Sequence, residues 1–119
     1  MKLNQECVRD LLLYLEENLE ANDIIDIKEI DLNYSKEELF YTAQKLGEAY
    51  YIDFNAHTAF IENSTIKTIT WDGHQFLDNI RDSEIWKKTK SASSKFASVS
   101  ISFLGRIASE IITKMILQG

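Results

Sequence analysis

The stretch at residues 66–82, IKTITWDGHQFLDNIRD, constrains the fold of this chain more than any other. Ile66, Thr68 and Thr70 alternate with Lys67 and Ile69, and β-branched residues at a period of two suit a pleated strand. The strand must then pass directly into a helix. Thr70 is placed to cap that helix, with Gly73 at its third position. Asp72 lies in the first turn, where a negative charge meets the positive helix end. Phe76, Leu77 and Ile80, with Trp71 just ahead of them, form the inward face. The residues before this joint read as the domain it closes, and those after it as an appendage.

Upstream, Asn4 is a good N-cap with Glu6 in the turn behind it. Val8, Leu11, Leu12, Leu15 and Leu19 recur at the spacing of an amphipathic helix running to about Glu20, with Ala21, Asn22 and Asp23 as its exit. Glu16, Glu17 and Glu20 form a solvated face, and Cys7 is expected as a half-buried thiol. Residues 24–32, IIDIKEIDL, alternate apolar and charged, with Ile25, Ile27 and Ile30 on one side, and read as a short strand or extended connector. Ser35 and Glu38 then form a capping box ahead of Leu39, Ala43, Leu46 and Tyr50, flanked by Phe40 and Gly47, which predicts a second helix. Residues 50–54 are β-prone, with Ile52 and Phe54 facing one way and Tyr51 and Asp53 the other. They pair with the strand at Ile66 as an antiparallel hairpin with a long tip that carries His57, expected as a surface residue.

Downstream, Ser83 is the expected cap of a helix with Ile85, Trp86 and Thr89 on its apolar side and Lys87, Lys88 and Lys90 opposite. The SASS run at residues 91–94 is the one compositional break. It divides the chain into a domain at 1–90, a hinge at 91–97 and a last helix at 98–119. In that helix Ile101, Leu104, Ala108, Ile111 and Met115 alternate spacings of three and four, as in a coiled-coil seam. Val99, Phe103, Ile107, Ile112 and Ile116 widen the seam, and Arg106, Glu110 and Lys114 form the polar stripe. A helix this apolar must cover most of itself with protein, either in cis or from a second copy.

The order helix, strand, capped helix, hairpin, helix predicts an α+β, winged-helix-like domain: helices packed on a small antiparallel sheet, with an added C-terminal amphipathic helix. Only residues 35–49 read as helical between the first strand and the hairpin, where two helices are usual, so the second is short or absent. The segments MKLNQECVRDLLLYLEENL, YSKEELFYTAQKLGEA and ITWDGHQFLDNIRDSEIWKKTK resemble the domain-of-unknown-function family 2513, the last of them most specifically. That resemblance implies a winged-helix-like fold and a bacterial or phage source. It implies no activity and no functional residues.

At 119 residues the chain is one domain's length, enough to bury about two-thirds of its unfolded surface. It has no proline and one cysteine, so it forms no internal disulfide. The absence of a leader-like start or an apolar run near 20 residues points to a cytoplasmic protein without a membrane partner. Net charge is −6, unevenly spread: residues 1–63 hold 14 acids and 5 bases, net −9, and residues 64–119 hold 5 acids and 8 bases, net +3. An acidic front half repels phosphate backbones.

These patterns bound the function classes. A DNA reader of winged-helix type would use the outward face of the second helix and the hairpin. There Lys36, Tyr41, Gln44, Lys45 and Lys67 are the candidate contacts, set among Glu37, Glu38 and Glu48. The cations on which DNA affinity depends are sparse. The competing class is a protein-interaction or regulatory module using Ile101, Leu104, Ala108, Ile111 and Met115, with a homodimer as one outcome. His74 with Asp72 and Asp78 is the one candidate acid–base group. It lacks a nucleophile, an oxyanion donor or a third ligand. The expectation is a non-enzymatic interaction module without cofactor or metal, with a DNA-binding regulator as the alternative.

Overall fold

The computed structural model describes residues 1–20, 23–56, 61 and 63–118. The first helix, α1 (Gln5–Asn18), starts as its cap dictates: Asn4 Oδ1 accepts the Cys7 amide at 3.2 Å. Its face of Cys7, Val8, Leu11, Leu12 and Leu15 is buried, and it ends two residues before the expected Glu20. Ala21 and Asn22 of the expected exit lie outside the described residues. Cys7 is wholly buried rather than half-buried, and Thr42 Oγ1 donates to its Sγ at 3.3 Å.

The expected strand at 24–32 is cut short. β1 (Ile25–Asp26) spans two residues before a 3-10 turn at Ile27–Glu29. The cause is Asp26, whose carboxylate accepts the Lys28 amide at 2.9 Å. That bond draws the backbone out of the extended state. Ile25, Ile27 and Ile30 are nevertheless all buried.

In α2 (Lys36–Glu48), Ser35 Oγ accepts the Glu38 amide at 3.1 Å. The Glu38 carboxylate reaches across to Asn4 Nδ2 at 2.8 Å instead of closing the capping box, tying the starts of α1 and α2 together. Leu39, Ala43 and Leu46 are buried as expected. Tyr50 is not. It lies past the helix end with φ 63°, in the left-handed region that stops helices. Tyr50 N donates to Gly47 O at 3.0 Å and Tyr51 N to Leu46 O at 2.9 Å.

β2 (Ile52–Ala56) and β3 (Ser64–Ile69) form the expected antiparallel hairpin, and β1 pairs with the other edge of β3, giving the order β1-β3-β2. Ile52 faces Ile69 and Phe54 faces Ile66, with an irregularity between Asp53 and Phe54. The tip residue His57 lies outside the described residues. Between β1 and β2 lie only the 3-10 turn and α2.

α3 (Trp71–Ile80) is capped by Thr70, whose Oγ1 accepts the Gly73 amide at 3.0 Å. Gly73 is required here for space: a Cβ would lie 2.0 Å from Tyr51 O. Phe76, Leu77 and Ile80 are buried. Trp71, expected on that face, is exposed instead. Nine residues before Ile80, at about 100° per residue, it falls on the opposite side of the helix.

α4 (Ser83–Ser93) is capped by Asp82 rather than Ser83; its carboxylate accepts the Ile85 amide at 2.9 Å. Ile85, Trp86 and Thr89 are buried as expected. The SASS run is not the break, because Ser91 to Ser93 complete α4. Ser93 and Ser94 hydroxyls donate to the carbonyls of Lys90 and Ser91, so they satisfy the last turn rather than loosen it. The connection lies at residues 94–100. α5 (Ile101–Gln118) begins after Ser100, whose Oγ accepts the Phe103 amide at 3.2 Å.

The result is an α+β fold of five helices and a three-stranded antiparallel sheet among the described residues. One core cluster runs from Cys7 to Ala108, so the start of α5 belongs to it. The molecule measures 47 × 32 × 23 Å. No helix of the described residues is long and apolar enough to cross a membrane.

Candidate interaction surfaces

The apolar seam of α5 is split by its packing. Ile101, Leu104 and Ala108 are buried within the chain against α3 and α4, and Gly105 sits so close to Phe76 that a Cβ would lie 2.8 Å from its ring. Ile111 and Ile112 are only partly buried at the edge of the core. Beyond them the seam is uncovered: Met115 is partly exposed, Ile116 is 73% and Leu117 80% exposed. Three of the five expected interface residues therefore serve the chain's own core, and Ile111 and Met115 belong to the part that leaves it.

The five candidate DNA contacts do not converge on one face. Tyr41 and Lys45 line a cleft of about 480 Å³ with Lys2, Glu48 and residues 98–102. Lys67 lines a separate cleft of about 210 Å³ with Glu16, Glu20 and His74. Two of the three lysines are already engaged. Lys36 Nζ donates to Ile30 O at 2.7 Å, and Lys45 pairs with Glu48 at 3.0 Å while lying over the Tyr41 ring at 5.4 Å. Gln44 is exposed on α2.

The titratable groups form structural ties. His74 does not pair with Asp78; Arg81 takes Asp78 at 3.0 Å and both oxygens of Glu16 at 2.6 Å. The Arg81 hydrogen bonds hold the Glu16 carboxyl below its ordinary range. Arg9 donates to the carbonyls of Ile80 and Arg81 at 3.0 and 2.7 Å, closing the end of α3. Glu6 joins Lys90 and Trp86 Nε1 between α1 and α4. Burial pushes the Cys7 thiol up to about 11, so it stays protonated and a poor nucleophile at neutral pH. Tyr34 donates to Asp10 at 2.6 Å, and burial with that bond raises its hydroxyl pKa. No group of three or more His, Cys, Asp or Glu among the described residues is arranged to hold a metal ion.

One feature escapes the sequence patterns. Tyr50 and Trp71, 78% and 76% exposed, flank a single junction: Thr70 Oγ1 donates to Tyr50 O at 2.6 Å, and Thr70 N to Tyr51 O at 3.0 Å. Periodicity assigned both side chains to inward faces. The offset of Trp71 from Ile80 could have placed it outside, whereas Tyr50 keeps the inward spacing from Leu46 and only the left-handed turn removes it.

Comparison with known proteins gives kinship without an activity. An uncharacterised protein of Haemophilus influenzae is 30% identical over 118 residues, covering 98% of this chain and 99% of that protein. No solved structure matches the chain. Residues 2–100, from just before α1 through the connection before α5, match the hypothetical-protein family DUF2513. The chain belongs to the DUF2513 family, as its sequence segments implied.

Proposed function

We propose that this protein is a non-enzymatic interaction module that self-associates through the outer half of α5. The observation that supports the reading is the division of the α5 seam: its first half is seated on α3 and α4, while Met115 and Ile116 continue the same stripe into solvent. An apolar stripe that leaves its own core favours burial against another chain. The uncovered part is short, well below the roughly 800 Å² per partner of a standard stable interface. The association is therefore weak and reversible. Among the described residues the buried Cys7 thiol is kept protonated and Asp78 is held by Arg81, which supports the non-enzymatic reading.

A DNA-binding regulator of winged-helix type is the other reading; strand order β1-β3-β2 with a hairpin favours it. Lysines bound to Ile30 O and Glu48 must give up those contacts to meet phosphate, which weighs against it. Sedimentation equilibrium with a duplex titration separates the two. The expected result is a mass rising toward twice the monomer with concentration, abolished in Ile116→Glu, and no duplex binding in about 50 mM salt, a condition favouring phosphate contacts. A strictly monomeric chain that binds duplex with a steep salt slope would overturn the proposal.

A further inference from the structure

Met115, Ile116 and Leu117 follow one another at the end of α5, and all three are exposed. At about 100° per residue, Met115 and Leu117 point about 160° apart. A flat contact with another helix covers Met115 and Ile116 but leaves Leu117 in water. A concave surface that receives the helix end covers all three. The end has a second need: the last carbonyls of a helix lack partners within it and carry partial negative charge.

Such a surface lies at the opposite end of the same helix. The cleft of about 480 Å³ opens between α2, the residues ahead of α1 and the start of α5. Leu3, Ala49, Val99 and Ile101 give it apolar walls. Leu3 and Val99 are only partly buried against the core, so apolar surface is left for an occupant. The volume falls in the range of clefts that enclose a guest. Its polar groups suit a helix end. Lys45 and Glu48 satisfy each other at 3.0 Å, which leaves Lys2 as the unmatched charge. Lys2 makes no hydrogen bond or ion pair among the described residues. Its ammonium and the Ser98 hydroxyl at the same cleft are donors for unpaired carbonyls.

The tip cannot enter the cleft of its own chain. An α5 of 18 residues is about 27 Å long and holds the two apart. Taking self-association through the outer half of α5 as given, we propose that its tip seats in this cleft of a second copy, and that two copies exchange tips reciprocally. With the two α5 helices antiparallel, each tip meets the other's cleft and the contact closes at two chains.

The test uses the full chain. In sedimentation equilibrium, Ala49→Phe, which fills the cleft, should weaken dimerisation about tenfold or more, as Ile116→Glu does at the tip. Lys2→Glu should weaken it about threefold, the scale of one charge at a helix end. Mild oxidation of a double variant, Ser98→Cys with Leu117→Cys, should trap a covalent dimer, whereas Leu117→Cys alone should stay uncrosslinked. Cys7 is wholly buried and does not compete. The cysteine pair decides the matter if Ala49→Phe lowers the melting temperature. Dimerisation lost in Ile116→Glu but unchanged in Ala49→Phe, or no covalent dimer from the cysteine pair, would overturn the cleft while self-association stands. A covalent dimer from Leu117→Cys alone would place two tips side by side, and a ladder of longer species would show an open chain; either overturns the exchange. A chain that stays monomeric at every concentration would remove self-association and the exchange together.

Discussion

The two halves of α5 share one helix and one apolar stripe but have opposite surroundings. Residues 101–108 bury Ile101, Leu104 and Ala108 to the level of the central core, and Gly105 admits the Phe76 ring, which stacks on Tyr51 at 5.0 Å. Residues 113–118 carry Met115, Ile116 and Leu117 in solvent. A hydrophobic pattern therefore states that a helix face needs cover without stating what supplies it. Here the molecule's own body covers half, and the extent of that body decides where the cover ends.

Substitution in the inner half should have the largest effect. Leu104→Ala removes a wholly buried side chain next to α3 and α4. It is expected to cost about 2–5 kcal/mol in urea unfolding. A loss below about 0.5 kcal/mol would place Leu104 in a detachable element rather than the core.

Gly105→Ala sharpens the boundary. Alanine favours the helix by about 1 kcal/mol over glycine, but its Cβ would meet the Phe76 ring at 2.8 Å. Overpacking of this kind costs about 1–3 kcal/mol, so a net loss of about 1 kcal/mol is expected in the same assay. A net gain would mean that α5 slides on α3 without penalty.

The pair of Arg81 and Glu16 supplies a scale remote from α5. Their side chains are partly exposed, so Glu16→Gln should cost no more than about 1 kcal/mol at neutral pH. The Glu16 carboxyl titrates lower in the folded chain than in the unfolded one. Its contribution is therefore full above the unfolded value and is lost as pH falls through the folded value. Wild type and Glu16→Gln should converge in stability under acid; a gap that widens there would contradict the assignment.

The smallest expected effect is in the outer half. Ile116→Glu should change the stability of the dilute monomer by less than about 0.5 kcal/mol, as surface substitutions do. A large loss would mean that the tip of α5 is part of the fold, and the contrast between the halves would fail.

Much of the fold was legible because its signals are local. Asn4, Ser35 and Thr70 each cap the helix they precede, and β2 and β3 pair as the expected antiparallel hairpin. The irregularity between Asp53 and Phe54 nevertheless breaks the expected alternation, burying Ile69 with Ile66 and leaving Thr68 exposed. The misplacements occur where a local pattern runs into a tertiary boundary. Tyr50 continues the spacing of Leu39, Ala43 and Leu46, yet the chain turns left-handed at Tyr50 itself, a residue that carries no glycine or asparagine signal. Trp71 precedes an apolar face without belonging to it. The SASS run looks like a linker because its residues are small and polar, but its hydroxyls bond to helix carbonyls at the end of α4. The candidate surfaces were less legible still. Lys36 and Lys45 count as free cations in a sequence, whereas the fold engages them with Ile30 O and Glu48. The α5 seam was visible in full, but nothing in it marks Ala108 as covered and Ile116 as bare.

Amide hydrogen exchange along α5, measured across protein concentration, tests that division most directly. Amides of residues 104–109 should exchange only through global unfolding, at every concentration. Those of residues 113–118 should exchange fast in dilute protein and gain protection as concentration rises. Uniform strong protection of the whole helix in dilute protein, or fast exchange at Leu104 and Ala108, would contradict it.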